Sequence, residues 1–240
     1  MKSRNDRFWG RLFRQLAGIW SSEWSLTAFL VLLVVTLFFI LPISHLIGAG
    51  GLPVSVFFSL LLISGMATVS EHRAPTLLVT GLVIVTLGLR WMTHLVPNRE
   101  IELASISSAL VCIGLLAGVV MLQVFRKGPI TGHRIQGAIA VYLLMGLIWA
   151  LAYELVLLEV PGAFQSAEMG ERHGALMPSL VYFSFVTLTT VGYGDITPVH
   201  PIVRSLSNLE ALVGQLYPAI LIGRLVAMEL SARQSNSREP

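Results

Sequence analysis

Long apolar segments limit what this chain can fold into more than any other feature. Six of them reach or approach the roughly 20 residues that a helix needs to cross the hydrocarbon core of a bilayer. In chain order they are Ser25–Ser44, Val54–Ser70, Thr76–Leu95, Ala104–Phe125, Ile135–Leu158 and Ile202–Leu230. Only 12% of the 240 residues are charged, whereas a soluble domain has about a quarter. We therefore expect an all-α integral membrane protein with six transmembrane helices.

The basic residues indicate how these helices are oriented. They concentrate near the N-terminus, in the connections after the second and fourth segments, and in the C-terminal tail. Positive charge is retained on the cytoplasmic side, so we expect both termini in the cytoplasm and a plasma or inner membrane location. The net charge of +3 then reflects membrane topology, with lipids as partners and no nucleic acid.

The run TTVGYGD at Thr189–Asp195 is polar and glycine-rich, yet it lies between apolar segments. Irregular backbone at membrane depth persists only when it is buried in protein or lines water. Gly192 and Gly194 alternate with Val191 and Tyr193, and glycine adopts left-handed dihedrals without steric cost. This alternation allows successive carbonyls to point to one side, as a dehydrated monovalent cation requires in place of its water shell.

The run resembles the selectivity filter of potassium channels at every position. Its flanks are similar to the pore region of the prokaryotic two-transmembrane ion-channel family, and they read RIQGAIAVYLLMGLIWALAYELVLLEVPGAF before the run and NLEALVGQLYPAILIGRLV after it. The resemblance covers about residues 134–230. The whole chain looks like a prokaryotic six-transmembrane potassium channel of the tetrameric cation channel superfamily. A homotetramer around a central pore is implied, because one chain supplies one quarter of a filter.

Four regions follow from the apolar pattern and the resemblance. Residues 1–24 place apolar side chains and arginines on different helical faces, which indicates a cytoplasmic amphipathic helix in the headgroup region. Its role as an anchor and a role in gating both remain open. Residues 25–130 are expected to form a four-helix membrane domain, residues 131–232 the pore domain, and residues 233–240 a short cytoplasmic tail.

Within the pore domain the resemblance implies an outer helix at 135–158, a re-entrant pore helix at 178–189, a filter at 190–194 and an inner helix at 202–230. The filter would bind K+, the permeant ion, through four backbone carbonyls and the Thr190 hydroxyl. These carbonyls belong to Thr190, Val191, Gly192 and Tyr193, and Gly194 would complete the outer end. No other cofactor is implied.

Residues around the filter are expected to support it. Asp195 would lie at the extracellular mouth, where it attracts cations, and Thr189 would face the inner cavity or the back wall of the filter. Tyr182 and Phe183 stand where many members of the family carry two adjacent tryptophans, and Tyr182 is expected to support the filter. Val186 replaces a glutamate of some members, so it offers no carboxylate to Asp195.

The pore helix conflicts with local propensity, because residues 181–187 are rich in β-branched and aromatic types that favour strands. An open strand in a membrane would leave its edges unpaired, so we expect a helix. Pro178 fits its first position, where a missing N–H costs nothing.

The inner helix contains two residues that predict a bend. Gly214 lies where the family places its hinge glycine, and Pro218 removes a helical hydrogen bond. Close packing through Gly214 is the alternative to a hinge. The candidate inner gate lies below the bend and consists of Ile222, Val226 and Leu230.

Polar side chains in apolar helices are further candidates, because they are costly in hydrocarbon unless they have partners. They are Glu154, Glu210 and Gln215. Glu210 is expected to hydrogen-bond toward the pore helix, where Ser184 and Thr187 are available, and proton sensing is its alternative role. Arg224 is expected to snorkel toward the membrane surface.

Several function classes are disfavoured. No Lys or Arg occurs between Glu102 and Arg126, whereas a voltage sensor needs several arginines along the fourth helix. No enzyme motif or cofactor fingerprint occurs, so the chain is not expected to be an enzyme. A potassium-selective channel without conventional voltage gating is the leading hypothesis, with tension, lipid or an unknown partner as the stimulus. The alternative is a non-conducting membrane receptor or regulatory subunit that retains the pore fold.

Overall fold

A computed structural model describes residues 22–47, 52–69, 73–125, 131–166 and 176–236 of the chain. The expected amphipathic helix within residues 1–24 lies almost entirely outside these ranges, as do residues 237–240 of the expected tail.

The first helical segment is interrupted by a wider turn. Helix α1 (Ser22–Val35) continues through a π-helical turn (Thr36–Ile40) into helix α2 (Leu41–Ile47). The Leu41 N–H bonds to the Thr36 carbonyl, five residues back. Pro42 follows at once, and because a proline inside a helix lacks an N–H and crowds the preceding turn, it explains why the helix widens here.

Three further helices complete the N-terminal part of the described chain. They are α3 (Leu52–Val69), α4 (Arg73–Leu95) and α5 (Arg99–Val124). The side chain of Asn98 accepts a hydrogen bond from the Glu100 N–H at 2.9 Å and so caps the start of α5. Helix α1 packs against α3, and α4 packs against α5.

The C-terminal half consists of two long helices with a short helix between them. These are α6 (Gly132–Glu159), α7 (Leu176–Leu188) and α8 (Pro201–Asn236). Helix α7 packs against both α6 and α8, while α6 also packs along α5 and α1. Two short strands, β1 (Phe164–Gln165) and β2 (Thr197–Pro198), pair in antiparallel register with Phe164 opposite Pro198. They join the connection before α7 to the connection that follows the TTVGYGD run.

The element boundaries correct the expected ones by a few residues. The expected outer helix extends to 132–159, and the expected pore helix begins at Leu176, so Pro178 is its third residue and not its first. The position still lies in the first turn, where a missing N–H is tolerated. The inner helix continues to Asn236, so the expected tail begins inside it. Apolar length marks only the part of a helix that lies in lipid, and the backbone hydrogen bonds continue beyond that part.

Within the described residues all six apolar segments are helical, as expected. By length and composition four of the helices in the described ranges could cross a membrane: Ser25–Ser44, Arg99–Val124, Gly132–Glu159 and Pro201–Met228. The second and third segments have shorter apolar stretches, Leu52–Met66 and Val79–Leu95.

Burial is unequal among the four long helices. In α8 only 11% of the most apolar stretch is buried, against 33% to 44% in the other three. The core lies instead between α1, α3, α5 and α6, where Phe29, Leu61, Leu116 and Leu144 are fully buried. One long apolar helix is therefore left largely uncovered by its own chain.

Candidate functional site

The TTVGYGD run leaves the end of α7 in an alternating backbone conformation. Thr190, Gly192 and Gly194 have positive φ angles of 59°, 60° and 79°, and Val191 and Tyr193 lie between them. The left-handed conformation expected of the two glycines is confirmed. A Cβ added to either glycine would meet no atom within 4 Å, so the φ angle and not crowding is what makes glycine the suitable residue there.

Thr190 was not expected to share this conformation. A positive φ is uncommon for any residue with a side chain and unusual for a β-branched one, and such strain costs on the order of 1–3 kcal/mol. No local propensity signals it, because threonine ordinarily favours extended backbone. Thr190 lies two residues before Gly192, just as Gly192 lies two residues before Gly194. This spacing is the only sequence signal that could have indicated the positive φ of Thr190.

The start of the run is bonded to the last turn of α7. The N–H groups of Val191 and Gly192 both point to the carbonyl of Val186, at 2.9 and 3.3 Å. The Thr190 N–H donates to the Thr187 carbonyl at 2.9 Å. The Thr189 hydroxyl donates to the Phe185 carbonyl at 2.6 Å. These bonds hold the first four residues of the run against the end of α7.

Asp195 is held at the far end of the run by two hydrogen bonds. The Tyr182 hydroxyl donates to Oδ2 at 2.7 Å, and the Ile196 N–H donates to Oδ1 at 3.0 Å. The hydrogen bond from Tyr182 holds the pKa of the Asp195 carboxyl below its usual value, because it stabilises the ionised form. Tyr182 therefore supplies a partner that Val186 cannot.

Glu210 lies at the junction of three helices and is fully buried, with none of its surface exposed. The Ser184 hydroxyl of α7 lies 2.5 Å from Oε1, which confirms the expected contact with the pore helix. The Tyr153 hydroxyl of α6 donates to Oε2 at 2.5 Å. Sequence reasoning missed Tyr153, since nothing in its surroundings distinguishes it from an ordinary aromatic residue of an apolar helix.

Gly214 marks a close approach between α8 and the end of α7. A Cβ at this position would lie 2.0 Å from the carbonyl oxygen of Leu188 and 2.8 Å from its carbon. This geometry supports close packing as the role of Gly214, which is the alternative to a hinge. Pro218 lies inside α8, which is one continuous helix, and a hinge at Gly214 and Pro218 stays a prediction.

Gln215 follows Gly214 and contacts the run. Its Nε2 donates to the Thr190 hydroxyl oxygen at 3.0 Å. The candidate gate residues Ile222, Val226 and Leu230 are exposed on the single chain, and at 100° per residue they share one face of α8 with Gln215. We call this face, made of Gln215, Ala219, Ile222, Val226 and Leu230, the inner-helix stripe.

Two other candidates lie away from the stripe. Arg224 donates to the Phe125 carbonyl at 2.8 Å, and its guanidinium carbon lies 5.5 Å from the centre of the Phe125 ring. Arg224 therefore contacts the C-terminal end of α5. The sequence indicated only snorkelling and did not predict this contact. Oε2 of Glu154 is buried without a hydrogen-bond partner among the described residues.

The comparisons with known proteins converge on this half of the chain. Residues 138–230, from α6 to α8, match the family described as ion channel. Protein LctB of Bacillus caldotenax is 33% identical over 87 residues, which are 35% of this chain and 64% of the relative. The potassium voltage-gated channel protein shk-1 of Caenorhabditis elegans is 36% identical over 83 residues, 34% of this chain and 15% of the relative.

A third relative is the two pore potassium channel c of Oryza sativa subsp. japonica, 34% identical over 93 residues, which are 39% of this chain and 18% of the relative. The chain thus spans less than two thirds of each of these relatives. No solved structure matches at a significant level. The matched family and the two potassium channels support a place for this chain in the cation channel superfamily, as an ion channel embedded in a membrane.

Proposed function

We propose that this chain is the subunit of a potassium-selective channel that conducts K+ passively through a homotetrameric pore. The observation that carries the proposal is the alternation of positive φ at Thr190, Gly192 and Gly194. A backbone that alternates in this way can direct successive carbonyl oxygens to one side. Such a row replaces the water shell of a dehydrated cation.

The exposed surfaces support assembly from several copies. In the single chain the side chains of Val191 and Tyr193 are 53% and 71% exposed, and α8 is largely uncovered. Irregular backbone at membrane depth must be buried in protein or line water. Four copies around one axis meet both needs, because neighbours cover the outer side of each run and the inner sides face the ion.

Two electrostatic features favour a cation. The C-terminal end of α7 carries about half a negative charge from its aligned peptide dipoles, and four such ends would converge beneath the filter. Asp195 is exposed and kept ionised by its hydrogen bonds, so four carboxylates would raise the local cation concentration at the outer mouth.

We propose six membrane crossings, with both termini in the cytoplasm and the chain in the plasma or inner membrane of a prokaryotic cell. The missing arginine series between Glu102 and Arg126 favours gating by membrane tension, lipid or a partner over conventional voltage sensing. Arg90, a basic residue of α4, donates to the Ser55 hydroxyl at 3.2 Å, and its guanidinium carbon lies 5.4 Å from the Phe58 ring centre.

The test is cation flux into liposomes that contain only the purified protein. We expect a reversal potential that favours K+ over Na+, and loss of this preference in Gly192→Ala, because alanine is strained at a φ of 60°. Gly223→Ala is the matched control, since this glycine of α8 has open surroundings. A wild-type protein that treats K+ and Na+ alike would refute the proposal. Absence of flux together with co-purification of a different pore chain would instead support the non-conducting subunit.

A further inference from the structure

We propose that Gln215 is a specificity-determining residue, which sets the K+ over Na+ preference at the innermost cation site by holding the Thr190 hydroxyl. This inference rests on the proposed function and adds to the filter a residue from outside the TTVGYGD run. It is carried by the hydrogen bond between Gln215 and Thr190 and by the packing that brings the two residues together.

The packing begins at Gly214. Because this residue lacks a side chain, the backbone of α8 approaches the carbonyl of Leu188 at the last turn of α7. The next residue along α8, Gln215, then lies within reach of the first residue of the filter, although 25 positions separate them in sequence. Its amide Nε2 lies 3.0 Å from the Thr190 hydroxyl oxygen.

The chemistry of the hydroxyl explains what the amide can do. A threonine hydroxyl has one proton to donate and two lone pairs that accept. When the oxygen accepts from Gln215, one lone pair is occupied and the hydroxyl proton is directed elsewhere. The second lone pair is then available to a cation at a position that the amide holds in place.

Thr190 needs such a partner. Both Thr190 and Gln215 are exposed on the open side of the single chain, so packing within the chain does not lock the threonine rotamer. Its backbone is also in the left-handed region, at a φ of 59°. Without the amide the hydroxyl oxygen could rotate away from the ion path, and four loosely placed oxygens discriminate less between cations that differ mainly in radius.

Position along α8 places the amide beside the ion path. Gln215 is the residue of the inner-helix stripe nearest to the filter, followed by Ala219, Ile222 and Val226 toward the candidate gate. Leu216, the next residue, is also exposed but lies about 100° away around the helix. It therefore offers a matched control position outside the stripe.

The experiment measures the K+/Na+ permeability ratio of purified channels in liposomes. Gln215→Met keeps the length of the side chain and removes the hydrogen bond, and we expect the ratio to fall at least about threefold. Thr190→Val, which removes the hydroxyl, should lower it as well. If Gln215 acts through that hydroxyl, the double variant should be no worse than Thr190→Val alone. Leu216→Met should keep the wild-type ratio.

A second variant covers the case in which Gln215→Met fails to assemble. Gln215→Asn keeps the amide but is one methylene too short to reach Thr190, and it should lower the ratio to the same extent. A wild-type ratio in either assembled variant would overturn the inference, and so would an additive loss in the double variant. Wild-type channels that do not discriminate between K+ and Na+ would refute the proposed function itself, whereas selective wild-type channels with an indifferent Gln215 would refute this inference alone.

Discussion

At the scale of single residues, two glycines of α8 have opposite surroundings. An alanine Cβ at Gly214 would lie 2.0 Å from the Leu188 carbonyl oxygen, whereas at Gly223 it would meet nothing within 4 Å. The first contact is with backbone, which cannot move aside as a flexible side chain can. Comparing Gly214→Ala with Gly223→Ala therefore separates the effect of packing on stability from the effect of helix propensity.

We predict that Gly214→Ala destabilises the folded protein by about 1–3 kcal/mol or more. Gly223→Ala should be neutral or stabilising by up to about 1 kcal/mol, since alanine favours helices over glycine. Thermal unfolding in detergent measures both changes. Equal stability of the two variants would contradict the packing role and leave a hinge as the explanation for Gly214.

The hydrogen bonds around Glu210 are ones that a neutral carboxylic acid can satisfy. The single proton of the Ser184 hydroxyl has two acceptors nearby, Oε1 of Glu210 at 2.5 Å and the Gly146 carbonyl at 2.8 Å. A protonated Glu210 satisfies both contacts by donating to Ser184, which in turn donates to Gly146. Among the described residues no cation lies within ion-pair distance of Glu210, and an unpaired carboxylate would be costly at this depth.

We predict that Glu210→Gln stays within about 1 kcal/mol of the wild-type stability, because its amide can donate to Ser184 and accept from Tyr153. Glu210→Leu should cost about 1–3 kcal/mol, mainly because the Tyr153 hydroxyl loses its acceptor, while Ser184 can still donate to the Gly146 carbonyl. Unfolding of both variants in detergent provides the measurement. If glutamine is as damaging as leucine, Glu210 is ionised in the folded protein.

Tyr182 and Asp195 make a prediction about pH. Because the hydrogen bond from Tyr182 lowers the pKa of Asp195, the carboxylate and its hydrogen bond persist above that lowered value and are lost as the pH falls through it. In Tyr182→Phe the pKa should return upward, so inhibition of K+ flux by external acid should begin at a higher pH. Flux against external pH gives the midpoint, and Asp195→Asn, which cannot titrate, should lack this phase. An unchanged midpoint in Tyr182→Phe would show that the bond does not control Asp195.

At the scale of elements, Arg224 connects the inner helix to the N-terminal helices. It donates to the carbonyl of Phe125, the C-terminal cap of α5, where the helix dipole favours a cation. Arg224 lies about 180° around α8 from Gln215, so this contact is on the opposite side from the inner-helix stripe.

We predict that Arg224→Leu lowers stability by about 1 kcal/mol through loss of the hydrogen bond and the ring contact. It should leave the K+/Na+ permeability ratio unchanged, since the contact lies away from the ion path. Unfolding and flux measurements on the same preparation test both statements. A changed ratio would mean that the effect of the α5 contact reaches the filter.

Helix α7 shows why the type of an element was easier to predict than its contacts. Residues 181–187 favour strands by propensity, yet α7 is helical from Leu176 to Leu188. In lipid the unpaired backbone of an open strand costs more than propensity can offset, so the environment decides the element type. The same argument says nothing about which side of α7 faces α6, and the Ser184 contact with Glu210 depends on that rotation.

At the scale of the whole molecule, the uncovered surface of α8 and the exposed Val191 and Tyr193 are the surfaces that the proposed homotetramer would cover. We predict that co-expression of equal amounts of wild-type and Gly192→Ala chains leaves about 6% of a tetrameric population entirely wild-type, because subunits combine at random in a symmetric ring. The fraction of K+-selective conductance measures this. About a quarter would indicate a dimer and would contradict the tetramer.

The sequence alone determined which segments are helical and which backbone conformation the glycines of the TTVGYGD run adopt, because both depend on local effects. Apolar length sets which segments become helices in lipid, and a glycine at every second position permits the left-handed conformation observed at Gly192 and Gly194. The Ser184 partner of Glu210 was also within reach of sequence reasoning, because a buried carboxylate in an apolar helix must find a polar group on a neighbouring helix.

Only the tertiary structure decided the remaining pairings, namely Tyr153 with Glu210, Gln215 with Thr190 and Arg224 with Phe125. The partners are separated by 57, 25 and 99 residues in sequence. Each pairing depends on how a helix is rotated about its own axis. Helices that are apolar on every side carry little sequence pattern that specifies this rotation, so the packing of one helix on another, as at Gly214 against Leu188, determines which polar groups meet.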